Sequence, residues 1–278
     1  MAPQFYSPDI ALCSVFDGTS GDFAAHFAAN YLPQFLYNTQ EMNALYTFTN
    51  NKAFLNMPIM KVYETVAKLS EIALRKSFLH LDAVLLQQLQ DAELSYTAST
   101  NVTLLLWKNL LTVAHLGDSR ACIFRETSDG FFSPQWLTVD HKPNHAPEHQ
   151  RIAQSGGVLS WNSKKPYLRA PDFNEKHMAG KHPKKLNYSR GFGGVELKKY
   201  GFIADPEVHH FEICPSDKFL VLATDGLWDV LTPGHVANII MTSKAKGLCV
   251  TSEIIKTAIE EMPDQLINDN ISVVVIFL

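Results

Sequence analysis

The sequence predicts an α+β fold in which antiparallel sheets pack face to face. Strand-like runs at 100–107, 110–116, 120–125 and 136–139 follow one another directly, as in an antiparallel meander. Helical stretches come in pairs between such groups instead of alternating with single strands, which argues against a parallel βαβ sheet. The runs are apolar and β-branched, the composition of buried strands, so each sheet needs a covering layer. With 278 residues, 46% of them hydrophobic, the chain has material for one domain spanning 1–278 with a substantial core.

Each element has its own signal. Residues 10–16 form an apolar run ending at Asp17. From 22 to 36, Phe23, Phe27 and Tyr31, with Ala24 and Ala28, recur every four positions and predict an amphipathic helix stopped near Pro33. Residues 38–58 read as a polar loop. Val62, Val66, Leu69, Ala73, Phe78, Leu81, Leu85 and Leu89 then keep one helical stripe to about residue 92, without internal Gly or Pro. Lys108-Asn109 makes a tight hairpin between the first two meander strands. Pro147 at a helix start, with Glu148 in its first turn, opens a helix ended by Gly156-Gly157. Residues 161–187 carry Lys, His, Pro and Gly with no apolar period and predict a surface flap. Its Lys164, Lys165, Arg169, Lys181, Lys184 and Lys185 suit an anionic phosphopeptide. Runs at 207–213 and 219–224 read as a strand pair. Helices are expected after Thr232-Pro233 and over 253–261 behind Ser252, and a last strand at 271–278 ends in the core.

Composition excludes several functions. A formal charge of -4 and a pI near 6.2 supply no basic face for nucleic acid. The longest apolar stretch, 102–116, is broken by Lys108 and Asn109 and falls short of the ~20 residues of a spanning helix. Met1-Ala2-Pro3-Gln4 carries no export or lipid signal. Cys13, Cys122, Cys214 and Cys249 lack C-x-x-C spacing and read as buried free thiols of a reducing compartment. A soluble intracellular monomer, cytoplasmic or nuclear, without membrane partner, is the expectation.

Three aspartates carry the chemical signal. Asp17 ends the run at 10–16, Asp225 ends that at 219–224, and Asp269 precedes that at 271–278. Acids at strand ends gather on one rim of a sheet, and oxygen donors gathered there suit Mg²⁺ or Mn²⁺ rather than zinc.

Four strings stand in a set order: VFDGTSG at 15–21, HLGDSR at 115–120, TVDHKP at 138–143 and ATDGLWDV at 223–230, followed by Asp269-Asn270. Glu148 to Ile152 reads ExxRI, Gly156-Gly157 follows, and 189–194 reads SRGFGG. The set resembles the metal-dependent PPM (type 2C) protein serine/threonine phosphatase family, over nearly the whole chain. That resemblance implies two stacked antiparallel sheets flanked by helices, a centre of two Mg²⁺ or Mn²⁺ ions at one edge, and hydrolysis of phosphoserine and phosphothreonine on a protein substrate by metal-activated water. It implies Asp17 as the bridging ligand, the Gly18 carbonyl on the second metal, and Asp225 and Asp269 on the first. Asp140, Asp225 and Asp229 match a weaker third site, and Asp118 matches a turn-ordering position.

Two departures stand out. The position of the family's general-acid His is Thr19. The family's phosphate-binding Arg and Glu-Asp pair, on a strand upstream of Asp17, have no counterpart, because residues 1–16 contain neither Arg nor Glu. Asp9, the sole acid there, sits in a turn-like Ser7-Pro8-Asp9. The chain accordingly reads either as an N-terminally shortened version of a longer phosphatase or as a domain whose second-metal half has been lost, with the N-terminal strand shortened or lacking and catalysis slow. The alternative is a pseudophosphatase that keeps the fold and signals by contact. A third reading, an aspartyl nucleophile of the haloacid-dehalogenase type suggested by Phe16-Asp17-Gly18-Thr19, is disfavoured, since Val15 stands where the nucleophile would be.

Overall fold

The computed structural model describes residues 4–7, 10–50, 53–263 and 269–278. Strand β1 (Gln4–Ser7) pairs antiparallel with β2 (Ile10–Thr19), so a short N-terminal strand is present. Pro8 and Asp9 of the expected turn lie outside the described residues. Helices α1 (Phe23–Tyr37), α2 (Gln40–Asn50) and α3 (Ile59–Asp91) precede β3 (Ala98–Trp107), β4 (Leu110–Leu116), β5 (Arg120–Glu126) and β6 (Phe132–Trp136). Helix α4 (Ala146–Gln154), a hairpin of β7 (Val158–Asn162) and β8 (Lys165–Arg169), and α5 (Phe173–Met178) lead to β9 (Phe192–Gly193) and α6 (Val195–Lys198). Then come β10 (Glu207–Glu212), β11 (Asp217–Ala223), α7 (Asp225–Trp228), α8 (Pro233–Lys246), α9 (Val250–Glu261) and β12 (Val273–Phe277).

Besides the two-stranded β7-β8 sheet, the described strands form two larger antiparallel sheets, one ordered β1-β2-β3-β4-β10 with β9 on β3, the other β12-β11-β5-β6. The period-two alternation of strand side chains assigns every strand two jobs. Ile10 and Leu12 of β2, with Leu105 and Trp107 of β3, pack under α1, α2 and α3. Cys13, Val15, Val102 and Leu104, one position out of phase, face Ala121, Ile123, Leu220 and Leu222 of the other sheet. Cys122, Phe124, Phe219 and Val221 turn the opposite way onto α8 and α9. The layers therefore read helices, sheet, sheet, helices, as the sequence leads one to expect. Among the described residues no helix is long and apolar enough to cross a membrane.

Several local expectations are corrected. Helix α1 runs through Pro33, because Leu32 and Leu36 on either side are both fully buried and their packing outweighs the lost backbone bond. The expected loop at 38–58 contains α2, which buries only Met42, Leu45 and Thr49 on an otherwise polar surface and so shows a faint periodicity. Strands β10 and β11 do not pair. Strand β10 lies on β4, whereas β11 lies between β5 and β12, so the chain changes sheets at 213–216. Strand β6 sits earlier than expected, at an edge where Pro134 is tolerated. Strand β12, also at an edge, is only half-buried. Of the cysteines, Cys13 and Cys122 are buried, but Cys214 and Cys249 are exposed. Within 161–187 the hairpin and α5 are regular structure, and Leu168 and Leu186 are buried against Tyr188 and Phe202.

Candidate metal centre

Strand phase delivers the first carboxylate. Asp17 is in phase with Val15, on the face of β2 that meets the second sheet, at the end of the strand where that interface opens to solvent. Strand β11 stops at Ala223, and Asp225 begins α7 immediately beyond it. Gly226 is required there: a Cβ on it would lie 2.3 Å from the Asn270 carbonyl oxygen. That close approach brings in Asp269, whose carboxyl carbon would be 3.5 Å from the same Cβ. Asp118, in the turn from β4 to β5, completes the group and is 2% exposed. The three strand-end aspartates thus meet at one rim, and Asp118 joins them. Its GDSR setting reads as a turn, so only its place in a chemically loaded string hinted at this.

The group is electrostatically frustrated. Burial, and next the charge of Asp225, push the Asp17 carboxyl up to about 8. Burial followed by Asp269 and Asp229 raises Asp225 as well. Asp118 is pushed up to about 6 by burial, with Lys142 opposing and Asp225 reinforcing the shift. Asp269, although exposed at its surface, is raised first by desolvation. Carboxylates held together this way fit a hard divalent cation, which supplies the missing positive charge and accepts an all-oxygen donor set. An open groove of about 1040 Å³ runs along Ser14 to Gly18 and past Asn270.

Asp140 and Asp229 are placed differently. Arg120 grips Asp140 through two bonds of 2.7 Å and reaches Asp229 at 3.3 Å. Lys165, from the tip of the β7–β8 hairpin, lies 3.5 Å from Asp229. Lys142 joins Asp118 to Asp140, the second contact at 3.7 Å. These acids are therefore neutralised by side chains, and Arg120, Lys142 and Lys165 line a small cavity of about 100 Å³ beside the rim. Thr19, half-buried next to Gly18, accepts a hydrogen bond of 2.8 Å from the Tyr188 hydroxyl. No sequence signal links those two, which are 169 residues apart.

The segment carrying Tyr188 is tied down by Glu148. Burial alone would raise that carboxyl, but Arg151, Arg190 and Ser189 all donate to it and hold it well below the usual carboxylate range. The SRGFGG turn is anchored from α3 as well: Asp82 accepts from the Gly193 N–H at 2.8 Å and pairs with Lys198 at 2.7 Å.

His115, His141 and Glu207 also bring donor atoms within 4.8 Å of one another. Only His141 and Glu207 are hydrogen-bonded to each other, whereas His115 bonds the Val139 carbonyl through Nε2 at 2.9 Å. The imidazoles stack at 4.5 Å and 13°, so one ion cannot lie in both ring planes. His141 accepts the Gly117 N–H at Nδ1, which leaves its Nε2–H to donate to Glu207 at 3.2 Å. Burial, then the neighbouring His141, push His115 down to about 4, so it is neutral. His209 and His210 of β10 pair separately with Glu207 and Glu71, as a surface pair does.

Comparison with known proteins gives one answer. The family model "Protein phosphatase 2C" matches residues 6–267. The chain is 33% identical over 277 residues to "Probable protein phosphatase 2C 61" of Arabidopsis thaliana, covering 96% of this chain and 76% of that protein. It is 31% identical to "Probable protein phosphatase 2C 72" of the same plant, covering 97% and 77%. Among solved structures, a serine-threonine phosphatase 2C from Toxoplasma gondii superposes with a TM-score of 0.89 at 32% identity, covering 98% of this chain and 86% of that one.

Proposed function

The chain belongs to the protein phosphatase 2C family, and from that premise we propose that it hydrolyses phosphoserine and phosphothreonine on proteins, using divalent ions held at the rim between its two sheets. The observation that carries this reading is the meeting of Asp17, Asp118, Asp225 and Asp269 at one rim, a cluster of carboxylates whose mutual repulsion Lys142 alone does not offset. Asp17, the Gly18 carbonyl, Asp225 and Asp269 would hold Mg²⁺ or Mn²⁺. Bound there, such ions lower the pKa of a water and neutralise phosphoryl oxygens.

The chain's own residues shape the rest. Asp17 comes from one sheet and Asp225 and Asp269 from the other, so the ligand set is fixed by the packing of the sandwich. Lys165 brings positive charge from the 161–187 flap to the edge of the site, which favours a dianionic phosphoryl group. Arg120 already satisfies Asp140 and Asp229, so a third ion competes with a guanidinium and binds weakly. Thr19 cannot act as an imidazole acid does, and loss of a general acid costs ~10²–10⁴ in rate. Slow turnover of phosphoproteins follows. Thr19 favours a second reading, a contact module with at most one tight divalent site and no turnover.

Assay of the purified chain on a phosphothreonine peptide tests the proposal. Hydrolysis is expected with Mn²⁺ or Mg²⁺ only, and Asp225→Ala is expected to abolish it. Turnover indifferent to EDTA would sink the metal account, and no turnover with bound Mn²⁺ would favour the module.

A further inference from the structure

We propose that Tyr188 is a positioning residue that aims the hydroxyl hydrogen of Thr19 at the ester oxygen leaving phosphorus; the proposal rests on the phosphatase reading and specifies how its bond cleavage is assisted without a histidine. A threonine hydroxyl has one hydrogen and two lone pairs. The Tyr188 hydroxyl donates to Thr19 Oγ1 at 2.8 Å and so occupies one of those lone pairs. The Thr19 hydrogen must then point away from Tyr188. Among the described residues the Thr19 hydroxyl has no second side-chain partner, so its hydrogen is free for a ligand at the rim. Thr19 stands two residues after Asp17 and is half-buried at the mouth of the site.

Tyr188 is built to hold this aim. It is 2% exposed and packed among Leu168, Leu186 and Phe202. The next residue, Ser189, is pinned by its N–H to the His141 carbonyl at 2.8 Å and by its hydroxyl to Glu148. The phenol therefore has no freedom to follow a rotating Thr19, and the Thr19 hydroxyl is oriented before substrate arrives, the condition under which a donor stabilises charge that develops only in the transition state.

In the step concerned, a water oxygen bonds to phosphorus as the bond from phosphorus to the ester oxygen breaks, and the bonding pair leaves with that ester oxygen. The ester oxygen gains one proton and the water loses one, so the hydrolysis balances without a proton drawn from Thr19 or Tyr188. Thr19 contributes a hydrogen bond to the oxygen while its negative charge grows, and Tyr188 keeps that bond in line.

The consequence depends on the leaving group. A threonine alkoxide is strongly basic and needs the bond, whereas p-nitrophenolate spreads its charge and needs it little. With the full chain and saturating Mn²⁺, Tyr188→Phe should lower kcat on a phosphothreonine peptide by about 10-fold, with KM little changed and a far smaller fall on p-nitrophenyl phosphate. Thr19→Val should show the same selectivity and Thr19→Ser should restore peptide turnover. The double variant Thr19→Val with Tyr188→Phe should be no slower than Thr19→Val alone. Equal falls on both esters, or additive losses in the double variant, would overturn the assignment while leaving the phosphatase reading intact. Absence of Mn²⁺-dependent turnover of either ester by the unmodified chain would instead sink that reading, and this one with it.

Discussion

Asp17 combines burial with a like-charged neighbour. Its carboxyl is held near 8 in the metal-free fold, against ~3.9 in an unfolded chain, so the fold carries the extra proton between those values. The stability linked to this group is present at low pH and is lost as pH rises toward 8. Asp17→Asn removes the titration and the repulsion together. In EDTA the variant is expected to melt higher than the unmodified chain at pH 8, with the gap closing toward pH 5, and Mn²⁺ should no longer raise its melting temperature. A variant that still gains stability from Mn²⁺ as the parent does would remove Asp17 from the ligand set. At this scale the sequence was informative where an acid ends an apolar run, as with Asp17, Asp225 and Asp269. It was silent where a partner arrives through space: Asp118 reads as a turn, and nothing in the local pattern around Tyr188 announces Thr19.

Among the elements, α4 does more than its nine residues suggest. Glu148, in its first turn, gathers Arg151, Arg190 and Ser189 and so fixes the segment that carries Tyr188. Because these donors depress the carboxyl, its contribution to stability is complete above the unfolded value of ~4.3 and disappears as pH falls below it toward the folded value. Glu148→Gln should therefore cost about 3 kcal/mol at pH 7, as loss of one partner from a buried charged network does, and make the acid limb of stability between pH 5 and 2 shallower. Urea melts across that range check it; an unchanged acid limb would mean the carboxyl is not the titrating group. Elements with dense periodicity, such as the stripe of α3, were legible in the sequence. Helix α2 was not, since three buried residues on a polar surface are too sparse a pattern. Nor was the passage of α1 through Pro33, which tertiary packing decides.

For the whole molecule, the opposed phases of successive strand residues made two stacked sheets foreseeable, because strands apolar on both faces demand a layer on each. Partnership between strands was less accessible. Strands β10 and β11, neighbours in sequence, belong to different sheets, and local pattern cannot tell a hairpin from a crossing of that kind. The crossing matters for the site, since it puts Asp225 on the sheet opposite Asp17 and makes the rim a junction of both layers. We propose that a divalent ion bound there ties the two sheets together. Calorimetric titration of Mn²⁺ into the purified chain at pH 7, set beside the same titration of Asp225→Ala, tests it most directly. A saturable heat in the unmodified chain that vanishes in the variant is the predicted result; Mn²⁺ binding that persists unchanged in Asp225→Ala, or none in the unmodified chain, would contradict it.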